Sequence, residues 1–339
     1  MKKGRPKMKK GNTKYKVVIT GPRIAEEAME LLGTACDVEC TKPYLPPGEL
    51  AAKLAEVKAD ALLVRVGKIT REVIRASPDL RVIAKHGTGV DNVDIAAATE
   101  SKIPVLIAPF ANYESVAEHV LGLMLALAKD IPYLDSRVRG GHWDKATYRG
   151  GELYGKVLGL VGFGRIGRRV KELVSPLQMK VLVYDPFLQG KGLPSDVTRI
   201  VTLEPLLKEA DIVSLHCPLT EQTRGLIGWK EFQMMKRTAW LINTARGPVV
   251  DEKALTAALR EGQIGGAGLD TFSKEPPEDI ALVANAGKTV LTPHIGGVTA
   301  ESFIRMGVAA AENILQVLSG NAPDPDCWVN PTVSREHTE

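Results

Sequence analysis

The stretch "KVLGLVGFGRIGRRVKELV", residues 156–174, constrains the fold of this chain more than any other. An apolar run of strand character ends in a glycine. Two more glycines follow at the G-x-G-x-x-G spacing, and a segment with helical periodicity opens behind them. Gly162 permits the tight turn, Gly164 lets the backbone approach a pyrophosphate, and Gly167 lets helix and strand pack closely. The helix start then offers unpaired N–H groups and the positive end of its dipole to an anion. Glycine-rich turns are common, so an ordinary βαβ turn is the competing explanation. The next β-rich run, "KVLVYD", weighs against it, because it ends in Asp185, where an acid would bind the adenosine ribose hydroxyls. An acid there repels a 2′-phosphate, and Phe187 stands where a basic residue would greet one. The expected cofactor is therefore NAD, with Gly162, Gly164, Gly167 and Asp185 in contact with it.

The same βα alternation runs through the whole chain, in two series. "KVVIT" (16–20), "ADALLV" (59–64), "RVIA" (81–84) and "PVLIA" (104–108) form the first, separated by amphipathic stretches such as 24–32 and 48–57. The second begins at residue 156 and continues through "KVLVYD", "DIVSLH", "AWLINTA", "GGAGLD" and "TVLTP". Short β-rich runs alternating with helical ones predict parallel sheets covered on both faces. The fold class expected is α/β, with two doubly wound, Rossmann-like domains. A segment apolar on nearly every side, within 108–129, predicts a buried helix. A closing helix at 300–318 follows the end of the second series, and "VNP" (329–331) reads as an extended piece that docks. The chain is thus expected to cross back, making the first lobe discontinuous. The predicted domains are 15–110 with 298–331, and 111–297, flanked by disordered tails at 1–14 and 332–339.

Composition bounds what such a chain can do. At 339 residues it exceeds one ordinary core. Its 44% hydrophobic and 25% charged residues are those of a globular protein, and its 32 glycines suit many strand-to-helix turns. The longest apolar run, 116–128, is too short to span a bilayer and carries Glu118 and His119. The basic N-terminal segment has no apolar run behind it, so no secretory signal is expected. Cys36, Cys40, Cys217 and Cys327 form no CxxC pair or metal spacing, which points to reduced thiols in a cytoplasm and to no metal site. The net charge of +4 comes from one place: Lys2, Lys3, Arg5, Lys7, Lys9, Lys10 and Lys14. Removing these seven leaves a body at −3, so nucleic acid is not an expected partner despite the tail.

Three further strand ends of the second series carry polar residues. "LINTARGPVVDE" puts Arg246 just past a β-rich run, "GLDTFSKEPPED" puts Glu275 past another, and "VLTPHIGG" puts His294 past the last. Singly, each has an ordinary explanation: a surface ion pair, a solvated loop acid, a packed histidine. Open α/β sheets bind ligands at the carboxyl ends of their strands, and all three residues stand there. The trio suits reduction of a 2-keto acid by hydride transfer. Histidine supplies the proton for the developing alkoxide, a neighbouring glutamate stabilises the imidazolium, and arginine offers a planar fork to the carboxylate. A methyltransferase, which could share the glycines and the ribose-binding acid, has no use for them.

The chain resembles the D-isomer-specific 2-hydroxyacid dehydrogenases, and most closely their phosphoglycerate dehydrogenase branch. The segments that carry the resemblance are "KHGTGVDNVDIAAAT", "NYESVAEHVLGLMLALAK", "GKVLGLVGFGRIGRRV", "VYDP", "ADIVSLHCPLT", "INTARGPVVDEKAL", "GAGLDTFSKEP" and "TPHIGG", and it covers nearly everything from residue 15 to 333. It implies Arg246, Glu275 and His294 as the catalytic residues, Arg165 and Ile166 on the pyrophosphate, and Cys217 and Pro218 by the adenine. Thr244, Ala245 and Asp270 would lie near the nicotinamide ribose and amide. The resemblance also implies a homodimer, matched by residues 137–156, and a form without the regulatory serine-binding domain. It assigns the first segment with the C-terminal piece to the substrate and the inserted lobe to the cofactor.

The expected substrate is a small 2-hydroxy or 2-keto acid. Turns at Arg65, Val66 and Gly67 and at Lys85, His86 and Gly87 should hold its carboxylate. Arg65 and Lys85 are two cations where one carboxylate needs fewer, which favours a phosphorylated acid; resemblance makes 3-phosphoglycerate, and a role in serine biosynthesis, the first expectation. Lys85 replaces a common arginine, and "RVGK" replaces a small polar run. Glyoxylate or hydroxypyruvate reduction and D-lactate-type dehydrogenation are alternatives in the same fold. A different class, an NAD-sensing corepressor-like scaffold, would keep fold and trio without turnover.

Overall fold

The computed structural model describes residues 13–188 and 193–336. It divides into two units: the residues before Tyr113 together with those from Val298 on, and Tyr113–Gly297. The expected basic tail lies outside the described residues up to position 12. Lys14 is described, and its amine donates to the Gly33 carbonyl at 2.9 Å.

The first unit is built on β1 (Tyr15–Thr20), β2 (Cys36–Cys40), β3 (Ala61–Val64), β4 (Val82–Lys85) and β5 (Val105–Leu106). They form a wholly parallel sheet in the order β2-β1-β3-β4-β5. Alternate residues point to opposite faces. Val17, Ile19, Leu63 and Ala84 therefore pack under the helices Glu26–Gly33 and Ala300–Leu318. Val18, Leu62, Val64 and Ile83 pack under Pro47–Val57, Arg71–Arg75 and Ile95–Glu100. Burial on both faces explains why these strands read as continuous apolar runs. The edge strand β2, "CDVEC", carries Asp37 and Glu39 and gave no such run.

The end of the chain closes the other edge. Ile107 N donates to Cys327 O at 2.8 Å, Val329 N donates to Val105 O at 2.9 Å, and Asn330 Oδ1 accepts from Val105 N at 2.8 Å. The closing helix starts with a capping box, in which Thr299 Oγ1 accepts from Ser302 N and Ser302 Oγ accepts from Thr299 N. The expected loose tail from residue 332 needs correcting. Residues Pro331–Glu336 form a 3-10 turn and Val333 is buried, so an apolar anchor holds the chain at least that far. Residues 337–339 lie outside the described part.

The second unit is built on β6 (Val157–Val161), β7 (Lys180–Tyr184), β8 (Val197–Ile200), β9 (Ile212–Leu215), β10 (Trp240–Asn243), β11 (Gly266–Leu269) and β12 (Thr289–Leu291). Every pair is parallel, in the order β12-β11-β10-β9-β6-β7-β8. Leu158, Leu160, Val181 and Val183 pack beneath Tyr113–Lys129 and Arg165–Val174. Leu182, Val213, Leu215 and Leu241 pack beneath the helices of the opposite face. The helix Tyr113–Lys129 buries Val120, Leu123, Met124 and Leu127 but leaves Leu125 exposed within its all-round apolar pattern. From β6 the chain winds one way to β7 and β8 and the other way to β9 through β12. The switch point thus lies between the ends of β6 and β9, where ligands of such sheets bind.

Candidate active site

The glycine turn leaves β6 beside the segment that follows β9. Gly162 has φ +95°, and a Cβ there would stand 2.8 Å from the His216 carbonyl carbon, so only glycine fits. A Cβ on Gly167 would meet Gly162 O at 2.6 Å, which is the close helix–strand contact the motif predicts. Gly164 is the N-cap of the helix Arg165–Val174 and has no side chain to cap it; the space off its Cα is open. Arg165 is exposed and Ile166 half-buried on the first turn of that helix. Asp185 follows β7 with its carboxylate turned to the same loop. Oδ2 accepts from Phe163 N and Oδ1 from Phe187 N, each at 2.9 Å. A carboxylate has about four acceptor sites, so two more remain for ribose hydroxyls.

Cys217 and Pro218 leave β9; burial pushes the Cys217 thiol up to about 11, so it stands as a neutral wall rather than a nucleophile. Thr244 and Ala245 leave β10. Two hydroxyls at neighbouring strand ends, Thr244 Oγ1 and Thr271 Oγ1, are buried without a hydrogen-bond partner. Orphaned buried hydroxyls are rare unless something completes them. With an open helix N-terminus, a glycine cradle and an acid at the β7 end, they fit a dinucleotide.

The three residues expected to carry chemistry stand at the ends of β10, β11 and β12. Asn243, almost wholly buried, shapes the first loop: its Oδ1 accepts from Ala245 N and its Nδ2 donates to Arg246 O, both at 3.0 Å. Arg246 donates from Nη1 to Ala245 O at 2.7 Å. Gly247 then presses onto the next loop so closely that a Cβ would lie 1.9 Å from the Phe272 carbonyl carbon. That loop is tied down by Glu252, which accepts from Ser273 N and, at 2.6 Å, from Ser273 Oγ. Glu275 Oε1 accepts from Phe272 N at 3.1 Å, and Oε2 lies 2.6 Å from His294 Nδ1. Burial pushes the Glu275 carboxyl up. The bonds from His294 and Phe272 and the charges of His294 and Arg246 outweigh burial and hold it below its ordinary value of 4.5. Glu275 is thus an anion against a half-exposed imidazole whose Nε2 makes no hydrogen bond among the described residues.

His294 sits in the left-handed region, φ +56°, which a residue with a Cβ adopts only at a cost. Asp270 holds it there. Its Oδ1 accepts from Thr292 Oγ1 at 2.6 Å and Ile295 N at 2.8 Å, and its Oδ2 accepts from Gly296 N at 2.8 Å. Burial works against the Asp270 anion, but these bonds and one from His119 keep its carboxyl below the ordinary range. The resemblance implies Asp270 as a cofactor contact, and His119 lies in the segment expected to form a buried helix. In the structure both reach the loop of His294, as do Thr292 and, for Arg246, Asn243. No local pattern announces a contact between residues 119 and 292, 173 positions apart.

In the first unit, Arg65, Val66 and Gly67 follow β3, and Lys85, His86 and Gly87 end β4. Arg65 Nη1 donates to the carbonyls of Pro22 and Arg23 at 2.9 and 3.2 Å, with its guanidinium carbon 5.1 Å from the Phe303 ring centre. Lys85 does not extend as a second free cation: its amine donates to Arg65 O at 3.2 Å and Asn92 Oδ1 at 3.0 Å. His86 packs on Phe303 with a centroid distance of 5.1 Å and keeps Nε2 buried and unpartnered. The N–H groups of Arg65 and Val66, expected to serve a ligand carboxylate, donate to Thr20 Oγ1 at 3.0 and 3.3 Å.

Comparison with known proteins places this architecture. Residues 121–296 match the family described as D-isomer specific 2-hydroxyacid dehydrogenase, NAD binding domain. The chain is 42% identical, over 90% of its length, to D-3-phosphoglycerate dehydrogenase of Methanocaldococcus jannaschii, but spans only 58% of that protein. It is 40% identical to hydroxypyruvate reductase of Thermotoga maritima, covering 90% of this chain and 99% of that one. The crystal structure of the TT0316 protein from Thermus thermophilus superposes with a TM-score of 0.84 at 36% identity, covering 93% and 99% of the two chains. The chain belongs to the D-isomer-specific 2-hydroxyacid dehydrogenase family, and residues 121–296 are its NAD-binding domain.

Proposed function

We propose that this protein oxidises a D-2-hydroxy acid to the 2-keto acid and catalyses the reverse reduction, with 3-phosphoglycerate as the hydroxy acid. One observation carries the reaction: Glu275 Oε2 stands 2.6 Å from His294 Nδ1 while the ring's other nitrogen stays open. Nε2 takes the hydroxyl proton during oxidation and returns it during reduction. Glu275 fixes the ring and balances its charge when protonated, as a buried acid does for a catalytic imidazole elsewhere. Arg246 holds the substrate carboxylate through its planar fork. When bound, NAD supplies the hydride acceptor; Gly162, Gly164, Arg165, Ile166, Gly167, Asp185, Cys217, Pro218, Thr244 and Ala245 would hold it, with Asp270 at its amide end.

The substrate assignment rests on Arg65, together with likeness to proteins named for phosphoglycerate. A second reading, hydroxypyruvate reduction, gains from the inward turn of Lys85, which removes one of the two cations argued for a phosphate. Exposed Val138, Trp143 and Tyr154 support a homodimer through residues 137–156. The deciding measurement compares 3-phosphohydroxypyruvate with hydroxypyruvate in wild type and Arg65→Ala. A phosphate site gives wild type a ten- to hundredfold preference in kcat/KM, roughly the worth of one ionic hydrogen bond, and Arg65→Ala abolishes it. Equal use by wild type leaves the hydroxypyruvate reading; no turnover with any 2-keto acid sinks both.

A further inference from the structure

We propose that His119 is a positioning residue for His294: it completes the clamp that holds the histidine loop in its left-handed conformation. The inference rests on His294 being the acid–base group, and it concerns a helix, Tyr113–Lys129, that contributes no residue to the proposed catalytic trio.

Three observations converge on it. First, His119 Nε2 lies 2.9 Å from Thr292 Oγ1 and 3.5 Å from Asp270 Oδ1. Second, the Thr292 hydroxyl has one proton and donates it to Asp270 Oδ1 at 2.6 Å. Toward His119 that oxygen can only accept, so His119 must carry its proton on Nε2. The imidazole N–H thereby supports the anion that takes the Ile295 and Gly296 N–H groups, one and two residues past His294. Third, the loop rests on the ring itself. A Cβ on Gly296 would come 2.9 Å from Asp270 Oδ2 and 3.2 Å from His119 Cδ2. Within the chain, what approaches this glycine is therefore the clamp.

The physical consequence is specific. The left-handed φ of His294 and the double acceptance by Asp270 belong together, because the turn at His294 is what aims two successive peptide N–H groups, those of Ile295 and Gly296, at one carboxylate. Asp270 is buried, and a buried carboxylate needs its full complement of donors. Removing His119 leaves the three direct donors in place but takes away the N–H that orients and polarises the Thr292 hydroxyl toward Asp270, and it loosens the contact face of Gly296.

Amide hydrogen exchange at Ile295 and Gly296 reads the clamp without reference to activity. In His119→Leu we expect these two amides to exchange about tenfold faster, the worth of one hydrogen bond. Turnover should fall by about the same factor while KM for NADH stays within about twofold. His119→Gln, whose amide nitrogen can donate from the same place, should recover most of both losses. Thr292→Val should reproduce the His119→Leu effects, and the double variant should be no worse than either single, since both break one chain of bonds. Unchanged exchange in His119→Leu overturns the proposal. So does a Gln variant as slow as the Leu variant, which would make the ring's packing the whole story, or a rise in KM for NADH that matches the loss in turnover. If wild type reduces no 2-keto acid, the functional reading fails while the exchange result still judges the clamp. Should His119→Leu not fold, Thr292→Val decides through the same two amides.

Discussion

The two units share a doubly wound plan and use its strand ends in different ways. Both are parallel sheets in which the chain reverses direction at a central strand, so each has a crevice beside that strand. In the first unit the loops that leave β1 and β3 are tied together by their own side chains. Thr20 Oγ1 accepts from two N–H groups of the β3 loop and donates to Val66 O, Arg65 reaches across to two carbonyls, and Asn92 Nδ2 donates to Gly67 O. In the second unit the same place holds Gly162 against His216 and an uncapped helix start at Gly164. Topology offers a crevice; the loop residues decide whether it stays open. Threonine and arginine tie the first together, and glycine leaves the second free of side chains.

The largest effect should come from the open side. His294→Gln is expected to lower kcat by a factor of about a thousand while NADH binding, followed by fluorescence titration, stays near wild type. Glutamine keeps a hydrogen bond toward Glu275 and removes the only titratable proton carrier at the β12 end. Loss of NADH affinity in parallel with turnover would mean that the β12 loop serves the fold and not proton transfer.

Next in size is the acid at the β7 end. Asp185→Ala should shift the NAD-to-NADP ratio of kcat/KM by about ten- to a hundredfold toward NADP, the worth of an ionic hydrogen bond plus the removal of repulsion. Part of that loss will come from the Phe163 amide, which the same carboxylate holds. Asp185→Asn separates the two, because it keeps an acceptor for the amide and removes only the charge. An unchanged ratio in both variants would show that Asp185 is a loop tie of the kind found in the first unit.

What the sequence disclosed follows from how local each signal is. Strands buried on both faces read as apolar runs, and the glycine turn, Asp185 and the residues at the ends of β10, β11 and β12 are all local features. Edge strands such as β2 and β8 were illegible, because one side of each is exposed and carries charge: Asp37 and Glu39 in one, Arg199 in the other. Orientation was illegible too. A lysine at a strand end looks the same whether it faces a ligand or, like Lys85, folds back onto a carbonyl and an asparagine. The clamp of Asp270, Thr292 and His119 joins three distant segments, and only the folded chain brings them together.

The smallest effect separates the units by two half-buried histidines, one in each. His86 in the first and His216 in the second are both pushed down to about 4. Burial is the leading cause in each, but the charges of Arg65 and Lys85 add to it only for His86. Each folded-state value lies below the ordinary 6.5, so between pH 6.5 and 4 the unfolded chain binds protons that the folded one refuses. Stability should therefore be indifferent to these groups above about pH 6.5 and fall as pH drops through that window, by at most about 1.4 kcal/mol per pH unit for each histidine. Histidine ring resonances followed by NMR down to about pH 4 test the cause. In Arg65→Ala the His86 midpoint should rise, since a repelling cation has gone, and the His216 midpoint should not move. If both move, the substitution has loosened the whole fold. If neither moves, Arg65 delivers its charge to the Pro22 and Arg23 carbonyls alone, and the tied loops are electrostatically closed to their neighbour.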